Sequence, residues 1–302
     1  MKIIMTHGYM LSGTGSNIYV QSLCRALVSE GHDVHLLCQE PAPLSYDFVG
    51  KSAKVDAQGV EDLGEQETTY QGLCIVYRPV IGDPLPVYVY DDYPGWRVKT
   101  FLDLTEEELD NYLRRNVEAL KTVLGVSDAE AVITNHSVPG PLIARRALEG
   151  HPLPYVSIVH GSCLQYVSRK SEMYMSLTRE GLEDAREILA LSSHSAGTIA
   201  EDFPDLADRT HALPGGVDTD LFHPDAFDRG VLERLEGGQG LARRSGRLYE
   251  KPWRVRTTQG SWPARCVRSR PPTTPARTTR TPVGGSGVSS TARGRSWSTS
   301  ES

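Results

Sequence analysis

A chain of 302 residues with 39% apolar content holds enough hydrophobic material for a buried core, and its length suggests about two domains. No window carries the roughly 18 consecutive apolar residues of a membrane-spanning helix. Charge is split: residues 1–240 hold 19 basic and 36 acidic side chains, and residues 241–302 hold 13 and 2. The acidic portion excludes a phosphate-backbone binder as its main role, so no nucleic-acid partner is expected. "MKIIMTHG" lacks the long apolar stretch of an export signal. The five cysteines are scattered without a CxxC pair. That pattern fits buried thiols in a reducing cytoplasm better than a disulfide framework or a zinc site.

The elements alternate. Residues 1–6 read as a first strand, ended by a turn. Residues 16–30 read as a helix whose apolar face is Ile18, Leu23, Ala26 and Leu27, with Gly31 as its stop. "DVHLLC" (33–38) is a second strand, completing a βαβ unit. The stretch 39–72 is polar, lacks clear periodicity and reads as an irregular insertion. "LCIVYRP" (73–79) is a strand. "TEEELDNYLRRNVEALKTVLG" is a strong helix, with Thr105 and Glu108 as a capping box and Gly125 as its end. Strands at 129–135, 155–160 and 188–192 alternate with helices at 140–150, 175–188 and 194–203, and "THALP" adds a last strand. Roughly six strands over residues 1–214 predict an α/β fold with a doubly wound, mostly parallel sheet.

Beyond about residue 240 the chain is rich in Arg, Ser, Thr, Pro and Gly. It has too little apolar surface to offset chain entropy and reads as a disordered basic tail. A natural tail and an out-of-frame translation of a G+C-rich gene are both open, the latter favoured by the patternless run of Arg, Pro, Ser, Thr and Trp.

The first turn, "SGTGSN" (12–17), is an even choice between a tight connection and an anion site. Free N–H groups at a helix start favour a phosphate, and Gly13 and Gly15 permit close approach. The glycine spacing fits neither G-x-G-x-x-G nor a P-loop. His7, His136 and His160 each follow a predicted strand. They would stand at the carboxyl edge of the sheet, where ligands of open α/β folds bind. No H-x-x-x-H pair supports a metal, and no G-x-S-x-G elbow supports a serine hydrolase.

Taken in order, "SGTGSNIYVQSLCRALVSEGHDVHLLC", "AVITNHS", "YVSIVHGS", "ILALSSHSAGTI" and "LPGGVDTDLFHP" resemble the retaining glycosyltransferases of family 4. Their GT-B fold pairs two Rossmann-like domains. The resemblance covers residues 1–224, as an acceptor-side amino-terminal domain, and leaves 225–302 as linker and tail. Gly215 stands where the family usually has Asn. The resemblance implies transfer of a sugar from a nucleotide-sugar donor, such as a UDP- or GDP-sugar, to an acceptor hydroxyl, without a metal or other cofactor. The acceptor would be a carbohydrate, a lipid-linked molecule or a small molecule; peripheral attachment to a membrane stays open. It also implies that Gly13, Thr14, Gly15, Ser16 and Asn17 face the donor diphosphate or the acceptor. His160 would lie beside the transferred sugar as the catalytic position, and His136 would line the acceptor side. Gly216, Val217 and Asp218 would sit at the passage to the second domain. In that second domain the family carries G-R-x-x-x-x-K and E-x7-E segments. "SGRLYEKPW" (245–253) resembles the first, with Arg247 and Lys251 one residue too close, and nothing matches the second. This chain by itself is therefore expected to be inactive. Two alternatives stand beside it: an NAD(P)-dependent oxidoreductase, disfavoured by Cys38-Gln39 at the end of the second strand, and a non-catalytic carbohydrate- or nucleotide-binding module.

Overall fold

The computed structural model describes residues 1–91, 93 and 95–217. The expectations for the tail, for the boundary at residue 224, for Asp218 and for Arg247 and Lys251 lie outside the described residues. Strand β1 (Lys2–Thr6) leads into helix α1 (Gly15–Ser29) and strand β2 (Asp33–Leu37). Strands β3 (Val49–Asp56) and β4 (Gly59–Glu65) form a hairpin, and β5 (Cys74–Pro79) returns to the sheet. A separate parallel pair, β6 (Leu85–Val87) and β7 (Val98–Thr100), precedes the long helix α2 (Glu106–Ser127). Then come β8 (Ala131–Asn135), α3 (Gly140–Ala147), β9 (Tyr155–Val159), α4 (Gly161–Tyr166), α5 (Glu172–Leu182), β10 (Glu187–Ala190), α6 (Ser193–Asp202) and β11 (Thr210–Ala212).

Nine strands make the main sheet, in the order β11-β10-β9-β8-β1-β2-β5-β3-β4. Every neighbouring pair is parallel except β3–β4. The expected doubly wound, mostly parallel α/β sheet is therefore observed. Successive residues feed opposite faces, as strand geometry requires. Ile4 and Leu37 enter one apolar cluster, with Leu120 and Val123 of α2, while Met5 and Leu36 enter the other, with Val20 and Cys24 of α1. Both faces are covered, which is why β1 reads as a continuous apolar run rather than an alternating one.

Chain order reverses at β1. The strands β2, β5 and β3 extend one way from it, and β8 through β11 extend the other. The switch point thus lies between β1 and β8, and it opens a crevice at their carboxyl ends.

Several elements differ from expectation. The stretch 39–72 is not irregular: it supplies β3 and β4. The strand β3 escapes notice because Gly50, Ser52 and Ala53 are small or polar, yet Ser52 and Ala53 are buried between two neighbours. On the sheet edge, β4 carries the charges of Glu61 and Asp62 outward, which discourages pairing with another chain. The buried stripe of α1 is Asn17, Val20, Cys24 and Val28, while Ile18 is 45% exposed. The helix is rotated relative to its apolar reading because the buried polar Asn17 has a partner in the core. Gly125 does not end α2, which runs to Ser127 and closes on Asp128 in the left-handed conformation (φ 46°). A short polar side chain tolerates that region. Helix α5 starts earlier than expected because the Ser171 hydroxyl caps it, accepting from the Tyr174 N–H. The capping box of α2 is present in both directions: Glu108 N–H donates to Thr105 Oγ1 at 3.2 Å, and Thr105 N–H to Glu108 Oε2 at 2.9 Å. The expected stop of α1 is also found, with Gly31 at φ 79°. Among the described residues no helix is long and apolar enough to cross a membrane.

Candidate functional site

Three histidines gather at the switch point, each delivered by the end of a parallel strand. His7 follows β1, and its backbone N–H donates to Leu37 O at 2.8 Å. His136 follows β8 in a left-handed conformation (φ 72°), anchored by its N–H on Ile158 O at 2.8 Å. His160 follows β9 and precedes α4. The rings form a row, with His7 and His136 centroids 5.7 Å apart and His136 and His160 4.6 Å apart.

Two asparagines orient the outer rings. Asn17 Nδ2 donates to Ser12 O at 2.6 Å, which leaves its Oδ1 facing His7 Nε2 at 3.0 Å. Asn135 Nδ2 donates to Thr6 O at 3.1 Å, and its Oδ1 lies 3.2 Å from His160 Nε2. An amide oxygen only accepts, so both imidazoles carry their proton on Nε2 and keep the Nδ1 lone pair. Burial pushes the pKa of His7 down to about 4, with the Asn17 bond opposing it. Burial and the nearby His7 bring His160 to about 4. Burial, then His160 and His7, hold His136 well below the usual range. All three are neutral at pH 7. They offer hydrogen bonds rather than positive charge.

Cys163 ties two of these loops together. Its thiol donates to His160 O at 2.7 Å, and its sulfur accepts from Ser137 N–H at 3.1 Å. Burial raises its pKa, so it acts as a fixed thiol, not a nucleophile. At Gly140 a Cβ would stand 2.5 Å from Asn135 O. Only glycine lets α3 approach the strand end that carries Asn135 and His136.

The glycine-rich turn meets this row from β1. Gly13 takes φ 96°, and Thr14 caps α1 by accepting from the Asn17 N–H at 3.4 Å. The first-turn N–H groups of Gly15 and Ser16 have no helical carbonyl to reach. A cleft of about 480 Å³ brings together Thr14, Gly15 and Ser16, the tyrosine-rich stretch 87–91 with Tyr93 and Tyr9, and His160 with Ser162. His7 and His136 instead line a smaller, narrower pocket of about 30 Å³ that shares Tyr9 and Tyr88 with the cleft, together with Thr6 and Asn135. Neither ring nitrogen of His136, nor Thr6 Oγ1, has a partner in the protein.

The expected site residues therefore separate. Thr14, Gly15, Ser16 and His160 share the open cleft. Asn17 is fully buried and turned toward His7, and His136 is 2% exposed, so both stand behind the cleft rather than on it. Gly13 sets the turn. Gly216 is exposed, with open space around it, while Gly215 lies against Tyr19, whose ring edge meets His160 at 5.4 Å. Sequence reasoning missed Tyr9, Tyr19, Asn135 and Cys163. It also passed over the "VYVYDDY" tyrosines, although that run is plain in the chain. Glu40 accepts from Leu11 N–H at 3.0 Å, Ala42 N–H at 3.1 Å and Tyr46 OH at 3.2 Å. It pins the first turn to the end of β2 and has little capacity left for a ligand. Among the described residues no cluster of three or more His, Cys, Asp or Glu side chains is placed to hold a metal.

Comparison with known proteins adds the following. Residues 13–221 match the family model described as Glycosyltransferase Family 4. No curated protein sequence matches the chain. Among solved structures, sucrose-phosphate synthase from Thermosynechococcus elongatus is similar at 18% identity and a TM-score of 0.48, covering 77% of this chain and 52% of that one. A glycosyltransferase from Rickettsia africae aligns at 12% identity and a TM-score of 0.44, covering 79% and 50%. A trehalose 6-phosphate synthase from Burkholderia multivorans aligns at 12% and 0.42, covering 78% and 55%. The chain spans about half the length of each of these structures.

Proposed function

The chain belongs to glycosyltransferase family 4, and from that premise we propose that it takes part in moving a sugar from a nucleotide-sugar donor to an acceptor hydroxyl, with retention at the anomeric carbon. The observation that carries the reading is the shared cleft. The start of α1 at Gly15 and Ser16 faces the same space as His160, and the family match runs through both.

Glycosyl transfer must stabilise a departing diphosphate. The N–H groups of Gly15 and Ser16, together with the dipole of the 15-residue α1, are suited to part of that charge. His160 is held in one tautomer by Asn135 and kept neutral by burial. Its role is to hydrogen-bond and orient a sugar hydroxyl, not to neutralise phosphate. No arginine or lysine of the described residues lines the cleft, so the remaining phosphate charge calls for cations from outside this unit. The segment 225–302 has no E-x7-E pattern, and the 302-residue chain alone is not expected to turn over.

Calorimetric titration of the purified chain with UDP- and GDP-sugars, alongside a nucleotide-release assay, tests this. The expected result is weak donor binding that His160→Ala reduces, with release at background. Absence of nucleotide-sugar binding would refute the site, and sustained release would refute the inactivity. Product formed in any assay reports retention directly through its anomeric proton coupling. The oxidoreductase alternative is disfavoured by Glu40, whose carboxylate is already used by the first turn. A carbohydrate-binding module without chemistry would bind acceptor but no nucleotide-sugar.

A further inference from the structure

We infer that Tyr19 is a positioning residue that holds the His160 ring in place at the cleft, and that Gly215 is the residue that leaves Tyr19 the room to do so. The inference deepens the glycosyltransferase reading, on which the role of His160 rests.

One hydrogen bond is a loose hold on a ring. Asn135 Oδ1, 3.2 Å from His160 Nε2, fixes one nitrogen, and the imidazole can still swing about that bond. Ring contacts remove the remaining freedom. His136 lies 4.6 Å away at a tilt of 37°, and Tyr19 meets the same ring edge to face, with 5.4 Å between centroids and 84° between planes. That separation and angle lie in the favoured range for aromatic pairs. Burial keeps His160 neutral, so the contact is ring packing and not the attraction of a cation for a ring.

The helix that forms the site also places Tyr19. It follows Gly15 by four residues in α1, one turn along the same face, and Gly15 lines the cleft with His160. The ring therefore ties the end of β9 to the helix start proposed to take the diphosphate. The chain leaving β11 passes close to this ring. A Cβ at Gly215 would stand 3.2 Å from Tyr19 Cε2 and 3.4 Å from its Cδ2, closer than the optimum for two carbons. Gly215 does not take a positive φ, so its backbone conformation does not call for glycine; the nearness of Tyr19 does. Gly216, the next residue, has open space around it.

Histidine-selective ¹⁵N NMR on the full chain tests the inference, with UDP-glucose and GDP-mannose titrations on the same samples. His160→Gln assigns the His160 signals. The wild type is expected to show one His160 tautomer whose Nε2–H exchanges slowly with solvent. Tyr19→Ala should speed that exchange about fivefold or more and weaken nucleotide-sugar binding about threefold, in line with the loss of an aromatic pair. Tyr19→Phe keeps the ring and should stay within about twofold of wild type in both readings. Gly215→Val sets a branched side chain against the ring and should shift the His160 signals and weaken binding. In a Tyr19→Ala background Gly215→Val should change neither, because it acts through the ring. Gly215 lies on an exposed segment, so Gly215→Val gives its reading even where Tyr19→Ala does not fold. His160 signals unmoved by Tyr19→Ala or by Gly215→Val, Tyr19→Phe no better than Tyr19→Ala, or a Gly215→Val effect undiminished without the ring would each overturn the inference. A wild-type chain that binds neither nucleotide-sugar sinks the glycosyltransferase reading instead, and the His160 exchange rates then decide the role of Tyr19 by themselves.

Discussion

Acidification should destabilise this unit through its histidine row. In the unfolded chain a histidine titrates near 6.5, whereas burial holds His7 and His160 at about 4 and His136 lower still. The folded pKa is depressed, so between about pH 6.5 and 4 the unfolded state binds more protons. Stability is then full above 6.5 and falls as the pH drops through that window. Each pKa unit corresponds to about 1.4 kcal/mol. Lowering the pH from 7.5 to 5 therefore removes about 2 kcal/mol for each of His7 and His160, about 4 kcal/mol together. His136 acts in the same direction, and so does His35, whose pKa is also lowered mainly by burial. Against a typical total of roughly 5–15 kcal/mol, that loss is large. Carboxylates held low by cationic partners, such as Glu108 beside Lys99, lose stability only at more acid pH and do not confuse the window. Urea unfolding followed by far-UV circular dichroism at pH 7.5, 6.5, 5.5 and 5 reads the effect. His160→Gln should flatten the pH dependence. A stability constant to within about 1 kcal/mol across that range would refute the reasoning, since the row would then have to be solvated or already charged.

Substitutions at three positions probe how the site is held. Asn17→Ala leaves His7 Nε2–H buried without an acceptor, at an expected cost of about 1–3 kcal/mol in urea unfolding. Gly140→Ala puts a Cβ against Asn135 O and should cost about 1–3 kcal/mol; a change within error would mean the strand end yields freely. Cys163→Ala removes both bonds that link the His160 and Ser137 backbones. Donor or acceptor affinity is expected to fall more than its thermal midpoint, while Cys163→Ser recovers part of the loss.

The local chemistry of the chain was enough to specify the alternation of strands and helices, the Thr105–Glu108 capping box, the Gly31 stop and the placing of histidines after strands. Those features depend on residues within a few positions of one another. The hairpin of β3 and β4 was not legible, because Gly50, Ser52 and Ala53 become strand residues only when neighbouring strands supply partners. The buried face of α1 was misread for a related reason. Asn17 counts as polar until its Oδ1 accepts from His7 Nε2, ten residues away, inside the core. The gathering of tyrosines at the cleft, the division between the open cleft and the narrower pocket of His7 and His136, and the neutral state of the three histidines were likewise decided by tertiary structure. Burial and ring contacts between strand ends far apart in the chain set them, and no spacing within the sequence encodes a distance across a sheet.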